Sequence, residues 1–378
     1  MIKETMTSKQ RMWAAINLEL PDRVPVAPIL GQFDMRQSGV TREQRDANLE
    51  TFYKAARDTF NKLGGYDARY GLGYAISSWR FNCMRGITVR PGDRNTPADF
   101  SVQWHEEENM FVEDYDKIIA KGWNGFCEDY FTRTGISLEQ WDQANKAQMA
   151  KVKKEAKAWD DRGIMVLTGS LAISCEMNLS LARTLPKFSL DMHRMPEKVK
   201  AAMEAMIPDY IQNCIADCKE SGIPWVHVSL ERGSGSYFSL KDYEKYFFPQ
   251  LKKLVEGLTG AGLMCMLHMD TNWTQNIPYL KELPSKKCIA NYDSITDIFK
   301  AKEILHGHMC VMGDVPPSLT SLGTVAEVNE YCEKLIDICG KDGGFILCSG
   351  CEVPIDARFE NVKAMIDSVK NHPYPRSK

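Results

Sequence analysis

From about residue 160 onward, short apolar runs alternate with longer stretches whose apolar positions recur every three or four residues. The runs are "GIMVLTGS", "IPWVHVSLE", "LMCMLHMD", "KCIANYD", "HMCVMGDV" and "GFILCSGCE", each ending in glycine, serine or an acidic residue. Short runs of this kind read as strands buried on both faces, and the segments between them as amphipathic helices. "PEKVKAAMEAMIPDYIQNCIADCKESG" carries a glycine stop, and "TVAEVNEYCEKLIDICGKDGG" repeats the design. "SLKDYEKYFFPQLKKLVEGLTGAG" contains Pro249, which should break or kink its helix.

Regular strand and helix alternation predicts a parallel sheet, and the number of repeats favours a (β/α)₈ TIM barrel over an open sheet. No G-x-G-x-x-G follows any strand, so a dinucleotide fold lacks its phosphate loop. The first third is less regular. "RMWAAINLELPDRVPVAPIL" reads as helix, turn and extended segment, and "REQRDANLETFYKAARDTFNKLG" as one long helix. Missing strands are expected near residues 65 to 72 and in "FNCMRGITVRPGD" or "DFSVQWHEEENMFV". Without a linker-like tract, residues 1–378 read as one domain, with residues 1–60 as an N-terminal extension packed on the barrel.

Composition narrows the function classes. At 44% hydrophobic and 26% charged the chain can bury a large core, and a net charge of −3 with interspersed signs argues against nucleic acid or an anionic membrane as partner. The N-terminus lacks the apolar core of a signal peptide, and no run approaches the ~20 apolar residues of a membrane span. A cytoplasmic protein is the simplest reading. Twelve cysteines scattered through a long chain read mostly as free thiols, which fits an oxygen-poor cell interior.

In a β/α barrel the carboxyl ends of the strands meet at one mouth and supply the chemistry. The residues collected there are Glu231, His268 with Asp270, Asn291 with Asp293, Asp314, and Cys351 with Glu352. Glu231, His268, Asp270 and Cys351 offer two carboxylates, an imidazole and a thiolate, a set suited to tetrahedral zinc. His268 and Asp270, two apart, point to the same side of a strand. Pattern alone leaves other readings open: a hydrogen-bonded structural histidine, an inert Cys351 thiol, and a Glu231–Arg232 ion pair. The acidic run "WHEEENMFVEDYDKI" reads as a solvated helix start. His306 and His308 precede a strand, on the wrong side of the barrel for catalysis.

The order of motifs adds a resemblance. "LHMD" is followed, with 80 residues between Asp270 and Cys351, by "ILCSGCEVPIDARFENVKAMIDSV". Between them, "GDVPPSLTSLGTVAEV" resembles a "G-x-V-x-P-x-x-L-x-x-G-T-x-E-E-V" passage, and the opening "RMWAAINLELPDRVPVAP" is similar to "R-x-x-A-x-x-x-x-x-x-P-D-R-x-P". Together these resemble the uroporphyrinogen decarboxylase superfamily and, within it, the zinc-dependent corrinoid methyltransferases. The resemblance implies zinc at His268 and Cys351, with Glu231 and Asp270 completing the set and His268 and Glu231 taking part in catalysis. Asp67 in "GGYDARYG" occupies a place similar to an acidic residue important in the decarboxylases, which makes it a third catalytic candidate. Phe33, Met35, Tyr66, Tyr237 and Asn291 are the candidates for lining a substrate pocket.

Two departures from the family pattern refine the expectation. "FDMRQSGV" keeps the first arginine of the decarboxylases' "M-R-Q-A-G-R" as Arg36 but has Val40 at the second, and Cys351 stands where they carry histidine. Both count against tetrapyrrole decarboxylation. Asp270 stands where thiol-methylating relatives have cysteine; an oxygen ligand makes zinc a harder Lewis acid, suited to an oxygen-bearing leaving group. The resemblance therefore implies methyl transfer from a small O-methyl donor to the Co(I) of a corrinoid. No corrinoid-binding "D-x-H-x-x-G" occurs in the chain, so that cofactor would arrive on a partner protein. The alternatives are methyl transfer from a methylcobamide to a thiol or tetrahydrofolate, then decarboxylation, and a non-catalytic binding protein. A homodimer is compatible with the chain.

Overall fold

A computed structural model of the chain describes residues 2–72, 88–89, 103–104, 106–135 and 137–374. Its centre is a six-stranded parallel sheet in the order β10-β9-β8-β7-β6-β5. The strands are β5 (Ser170–Ile173), β6 (Trp225–Ser229), β7 (Met264–Met269), β8 (Cys288–Tyr292), β9 (Cys310–Val315) and β10 (Phe345–Ser349). A second parallel pair joins β1 (Ala68–Arg69) to β4 (Met165–Val166). Leu167 N donates to Arg69 O at 2.9 Å and Gly169 N to Trp225 O at 2.7 Å, so the chain between β4 and β5 is hydrogen-bonded on both sides. At the outer edge of β10, Leu347 N donates to Pro25 O and Ala27 N to Leu347 O, while Asp67 N donates to Val26 O at 2.8 Å. Residues 25–27, expected in the extension, thus run alongside the sheet.

All six apolar runs lie in this framework. The first is split: Met165–Val166 form β4, the chain bends at Gly169, and β5 continues as Ser170–Ile173. Of the proposed strands in the first third, residues 81–87, 90–93, 99–102 and 105 lie outside the described residues. The described pieces, β2 (Thr88–Val89) and β3 (Gln103–Trp104), pair antiparallel with each other and not with the central sheet.

Strands β6 to β10 are buried along their whole length on both faces, as parallel strands covered by helices must be. In β7, Cys265, Leu267 and Met269 join the larger cluster with the helices, whereas Met264 and Met266 join the second cluster with Trp225, Ile289, Met312 and Ile346. That alternation puts His268 on the same face as Met264 and Met266.

The helices follow the expected boundaries closely. Pro196–Ser221 ends at Gly222, whose φ of 75° is the left-handed cap that glycine supplies without strain. Pro249 does disturb its helix: Tyr243–Phe247 is a π-turn and the α-helix resumes at Phe248–Gly260. Proline offers no N–H to the preceding turn, and the wider π-turn accommodates the loss. The long helix expected over residues 42–64 is instead two, Arg42–Ala47 and Leu49–Leu63, because Asn48 is extended and caps the second with its side chain. No helix among the described residues is long and apolar enough to cross a membrane.

Candidate metal centre

The carboxyl ends of β7 and β10 bring His268, Asp270 and Cys351 together, although 83 residues separate His268 from Cys351. His268 Nε2 lies 3.6 Å from Cys351 Sγ and 3.4 Å from Asp270 Oδ1. One ligand atom from each of the three residues falls within 4.8 Å of the others. His268 is 6% exposed, and Asp270 and Cys351 beside it are half-buried.

The other imidazole nitrogen sets the orientation. Asn291, on β8 beside His268, donates from Nδ2 to Met312 O at 3.2 Å, which leaves its Oδ1 as an acceptor 2.6 Å from His268 Nδ1. Nδ1 therefore carries a proton in either charge state, and Nε2 is the nitrogen that faces Asp270 and Cys351 and offers a lone pair to a cation once its own proton leaves. Since Asp270 faces Nε2, it does not serve as the partner that orients the ring.

The charge balance favours a cation at this place. Burial disfavours protonated His268, but hydrogen bonds and charge from Asp270 and Cys351 outweigh it and hold the imidazole well above its ordinary pKa. Burial likewise works against the Asp270 carboxylate, which the His268 interaction nonetheless holds below its usual range. The two acidic groups stabilise positive charge between them. Nitrogen, oxygen and sulfur donors converging on one point fit a borderline-soft ion such as zinc.

The remaining expected site residues fall in different places. Glu231 follows β6 and accepts from Ser229 Oγ at 2.9 Å; it is not part of the three-residue group. The anticipated Glu231–Arg232 pair does not form, since Arg232 binds Glu106. The acidic run containing Glu106 is correspondingly not just a solvated helix start: Glu108 also binds Arg183 and Lys187. Residue 105 of that run lies outside the described residues.

Asp67, a catalytic candidate, stands before β1 at the amino end of the strand, on the side opposite the metal ligands. Its carboxylate accepts from Arg11 Nη1 at 2.6 Å, Arg23 Nη1 at 2.7 Å and Val26 N at 2.9 Å, and it is fully buried. The structure corrects its placement from the site to an internal ion cluster. Phe33, Met35 and Tyr66 are core packing: Phe33 and Met35 are the buried side of the short helix Gln32–Gln37, and Tyr66 packs edge-on to Phe60 and accepts from Arg69 Nη1. Tyr237 is 44% exposed on the loop after β6. Asn291 reaches the site through His268.

Asp293 follows β8 and accepts from Thr271 N at 2.7 Å, bracing the turn after Asp270. Asp314 accepts from Tyr331 Oη at 2.8 Å, and burial pushes its carboxyl up to about 7. Glu352 accepts from Gln32 N at 2.8 Å; Gly31 permits this approach, because a Cβ there would lie 2.3 Å from Glu352 Oε1. His308 comes before β9, at the amino end as expected, and its carbonyl accepts from Ser285 Oγ. Cys265, Cys288 and Cys310 are buried free thiols.

Two residues near the carboxyl ends escaped the collection of strand termini. His227 lies in the middle of "WVHVS" and its ring centroid is 5.2 Å from that of His268. Two-residue alternation back from Ser229 is the signal that reveals it. Glu176 stands just past the continuation of β5, and burial pushes its carboxyl up to about 7. Ending the first apolar run at Ser170 hid it.

Several known proteins resemble this chain along nearly all of its length. A methylcobamide:CoM methyltransferase, MtbA, of Methanosarcina acetivorans is 22% identical, over 97% of this chain and 99% of its own. The structure of a methyltransferase from Methanosarcina mazei superposes with a TM-score of 0.71 at 16% identity, covering 97% of this chain and 99% of that one. A B12-independent methionine synthase from Shewanella sp. W3-18-1, in complex with selenomethionine, reaches a TM-score of 0.50 at 8% identity, over 92% and 96% of the two chains. These structural likenesses speak to the fold. The pattern of the uroporphyrinogen decarboxylase (URO-D) family matches residues 164–372, a span that contains the central sheet from β4 to β10 and all three members of the metal-type group. It covers more than half of the chain, and the chain is a member of the uroporphyrinogen decarboxylase (URO-D) family.

Proposed function

We propose that this protein is a zinc-dependent methyltransferase that moves a methyl group from a small O-methyl donor to the Co(I) of a corrinoid carried by a separate protein. The observation that carries the reading is the convergence of His268 Nε2, Asp270 and Cys351 Sγ at the carboxyl ends of β7 and β10. The frame is read as a single (β/α)₈ barrel, with residues 25–27 contributing to it and residues 1–60 otherwise packed against it. Glu231, two residues beyond the end of β6, is the candidate for a fourth ligand or for a group that turns toward substrate.

When bound, zinc supplies Lewis acidity toward the heteroatom that carries the methyl group. The protein's residues do the rest. Asn291 holds His268 in the tautomer that keeps Nε2 a lone-pair donor. Asp270 supplies a hard oxygen, and the half-buried setting of the group keeps bulk water from competing for the methyl carbon. The Asn291→Ala variant should fold normally but bind zinc about 10–100-fold more weakly, as loss of an outer partner does. Chelator competition against the wild-type protein measures it, and an unchanged affinity would remove Asn291 from this role.

A second reading follows the name of the Methanosarcina acetivorans relative: methyl transfer from a methylcobamide to a thiol. Methylation of cob(I)alamin by a panel of methoxyaromatics, methylamines and methyl thioethers separates the two. The proposal expects cob(I)alamin to be methylated by methoxylated compounds first. No methylation by any donor, with methylcobalamin consumed by thiols, favours the second reading.

A further inference from the structure

Glu176 is a buried acid at the carboxyl end of the sheet with no cation beside it. It stands in the first turn of the helix Cys175–Arg183, which begins just after β5, and it is 4% exposed. Among the described residues its carboxyl serves neither an ion pair nor a helix cap; only the Ser174 hydroxyl and its own backbone N–H favour the charged form. Tyr243 and Cys175 are the titratable groups that share its field, and burial together with Glu176 holds both of them protonated. A carboxylate is costly to bury without a counter-ion, so the neutral acid persists up to about pH 7.

Its surroundings lead to the metal-type group. Gly233, two residues beyond Glu231, has no Cβ, and one there would lie 2.6 Å from Glu176 Oε1 and 3.4 Å from Trp273 Cη2. The carboxyl thus rests on the backbone of the loop after β6, at one end of the Trp273 indole. At the other end of that ring Trp273 Nε1 donates to Asp270 O at 2.7 Å. Trp273 is 1% exposed and meets Tyr243 edge-on at 5.9 Å, so the indole is held in place. One indole length separates Glu176 from the backbone of Asp270, a span that a small donor molecule can bridge.

We infer that Glu176 is the proton donor to the oxygen that loses its methyl group. The inference rests on the proposed O-methyl reading. In the transfer the methyl carbon bonds to cobalt through the Co(I) electron pair, the pair of the broken C–O bond stays on oxygen, and Glu176 gives that oxygen its proton. The products are a hydroxyl compound, the methylated corrinoid and the Glu176 carboxylate, which water reprotonates. A free phenolate or alkoxide is thereby avoided, and a general acid works best when its pKa lies near the working pH.

The test compares the zinc-loaded wild type with Glu176→Gln, metal content being checked in both. Each is assayed for methylation of cob(I)alamin by methoxybenzene and by 4-methoxybenzonitrile, whose departing phenolate the cyano group stabilises. Glu176→Gln should lose about a hundredfold or more in kcat/KM with methoxybenzene, the scale of general-acid catalysis, and much less with the nitrile. The wild-type rate with methoxybenzene should fall as pH rises through about 7, a limb absent from the variant. The infrared difference between the two proteins, recorded without donor or corrinoid, should show a protonated carboxyl that disappears over the same range. Equal losses with both donors, or a carboxyl already ionised well below pH 7, overturn the inference while leaving the O-methyl reading in place. Failure of the wild type to methylate cob(I)alamin from any methoxylated compound overturns that reading, and the proton-donor role with it.

Discussion

Replacing His268 or Cys351 with alanine should abolish zinc binding and methyl transfer together while leaving the fold intact. Each change removes one of three converging donors, and an ion held by the remaining two loses both affinity and its position against substrate. Lewis-acid stabilisation is worth several kcal/mol, so activity should fall on the order of a thousandfold or more. The readouts are metal content after dialysis and cob(I)alamin methylation, with circular dichroism as the control for folding. Either variant keeping full zinc and full activity would refute the assignment. Asp270→Ala belongs in the same series. Because Asp270 faces Nε2 while Asn291 holds Nδ1, its loss should weaken zinc binding directly.

A second large effect is expected at the other end of the strands, and on stability. Asp67 stands between Arg11 and Arg23, both almost wholly buried, and Asp67→Ala would remove their one fully buried shared counter-ion, leaving Glu4, which is partly exposed, between them and Asp22 on Arg11 alone. Breaking a buried ion cluster from one side costs about 3–5 kcal/mol, a large part of the ~5–15 kcal/mol that holds a typical domain folded. Urea unfolding of the zinc-free protein measures it. A loss below about 1 kcal/mol would mean that the cluster is not the clamp its geometry implies. Zinc content per folded molecule should not change, which separates this role from catalysis.

The same cluster gives the stability a pH dependence. Burial would raise Asp22, but its hydrogen bonds from Arg11 and from the N–H groups of Met6 and Thr5 prevail and hold it at about 2, below its ordinary 3.8. A depressed folded-state pKa means that the folded protein binds this proton less readily than the unfolded chain does. The contribution is therefore fully present above about 3.8 and is lost as pH falls through about 2. Asp22→Asn should be less stable than wild type at neutral pH, with the gap narrowing over that acid range; a constant gap would rule Asp22 out as its source.

Much of the framework could be read from the residues in order. The six apolar runs became β4 and five of the six central strands, β6 to β10, because a strand covered on both faces must be continuously apolar, whatever its neighbours. The glycine stop at Gly222 and the disturbance at Pro249 are local backbone effects and needed no tertiary information. The break at Asn48 was harder, since a capping asparagine competes with a helix that could have run through it.

The site was legible where chemistry ends a strand and obscure where it does not. His268, Asp270 and Cys351 each sit at the close of an apolar run, and a resemblance in motif order tied them together. Asp67 became a candidate through a resemblance to the decarboxylases, and it lies at the strand's opposite end. Periodicity carries no sign of strand direction relative to a distant site when the strand is two residues long. Phe33, Met35 and Tyr66 were drawn to the pocket by their aromatic or soft character, which packs equally well in a core.

The sequence by itself determined the strand and helix alternation, the buried character of the sheet, and which residue types were available as metal donors. Those follow from hydrophobic periodicity and side-chain chemistry, which are local. Only the tertiary structure decided that Asn291 turns His268 Nε2 toward Asp270 and Cys351, that Arg11 and Arg23 claim Asp67, and that Tyr70 reaches His227 across the sheet. Each of these is a contact between segments far apart in the chain, set by how neighbouring strands align, and no single segment contains the information that fixes it.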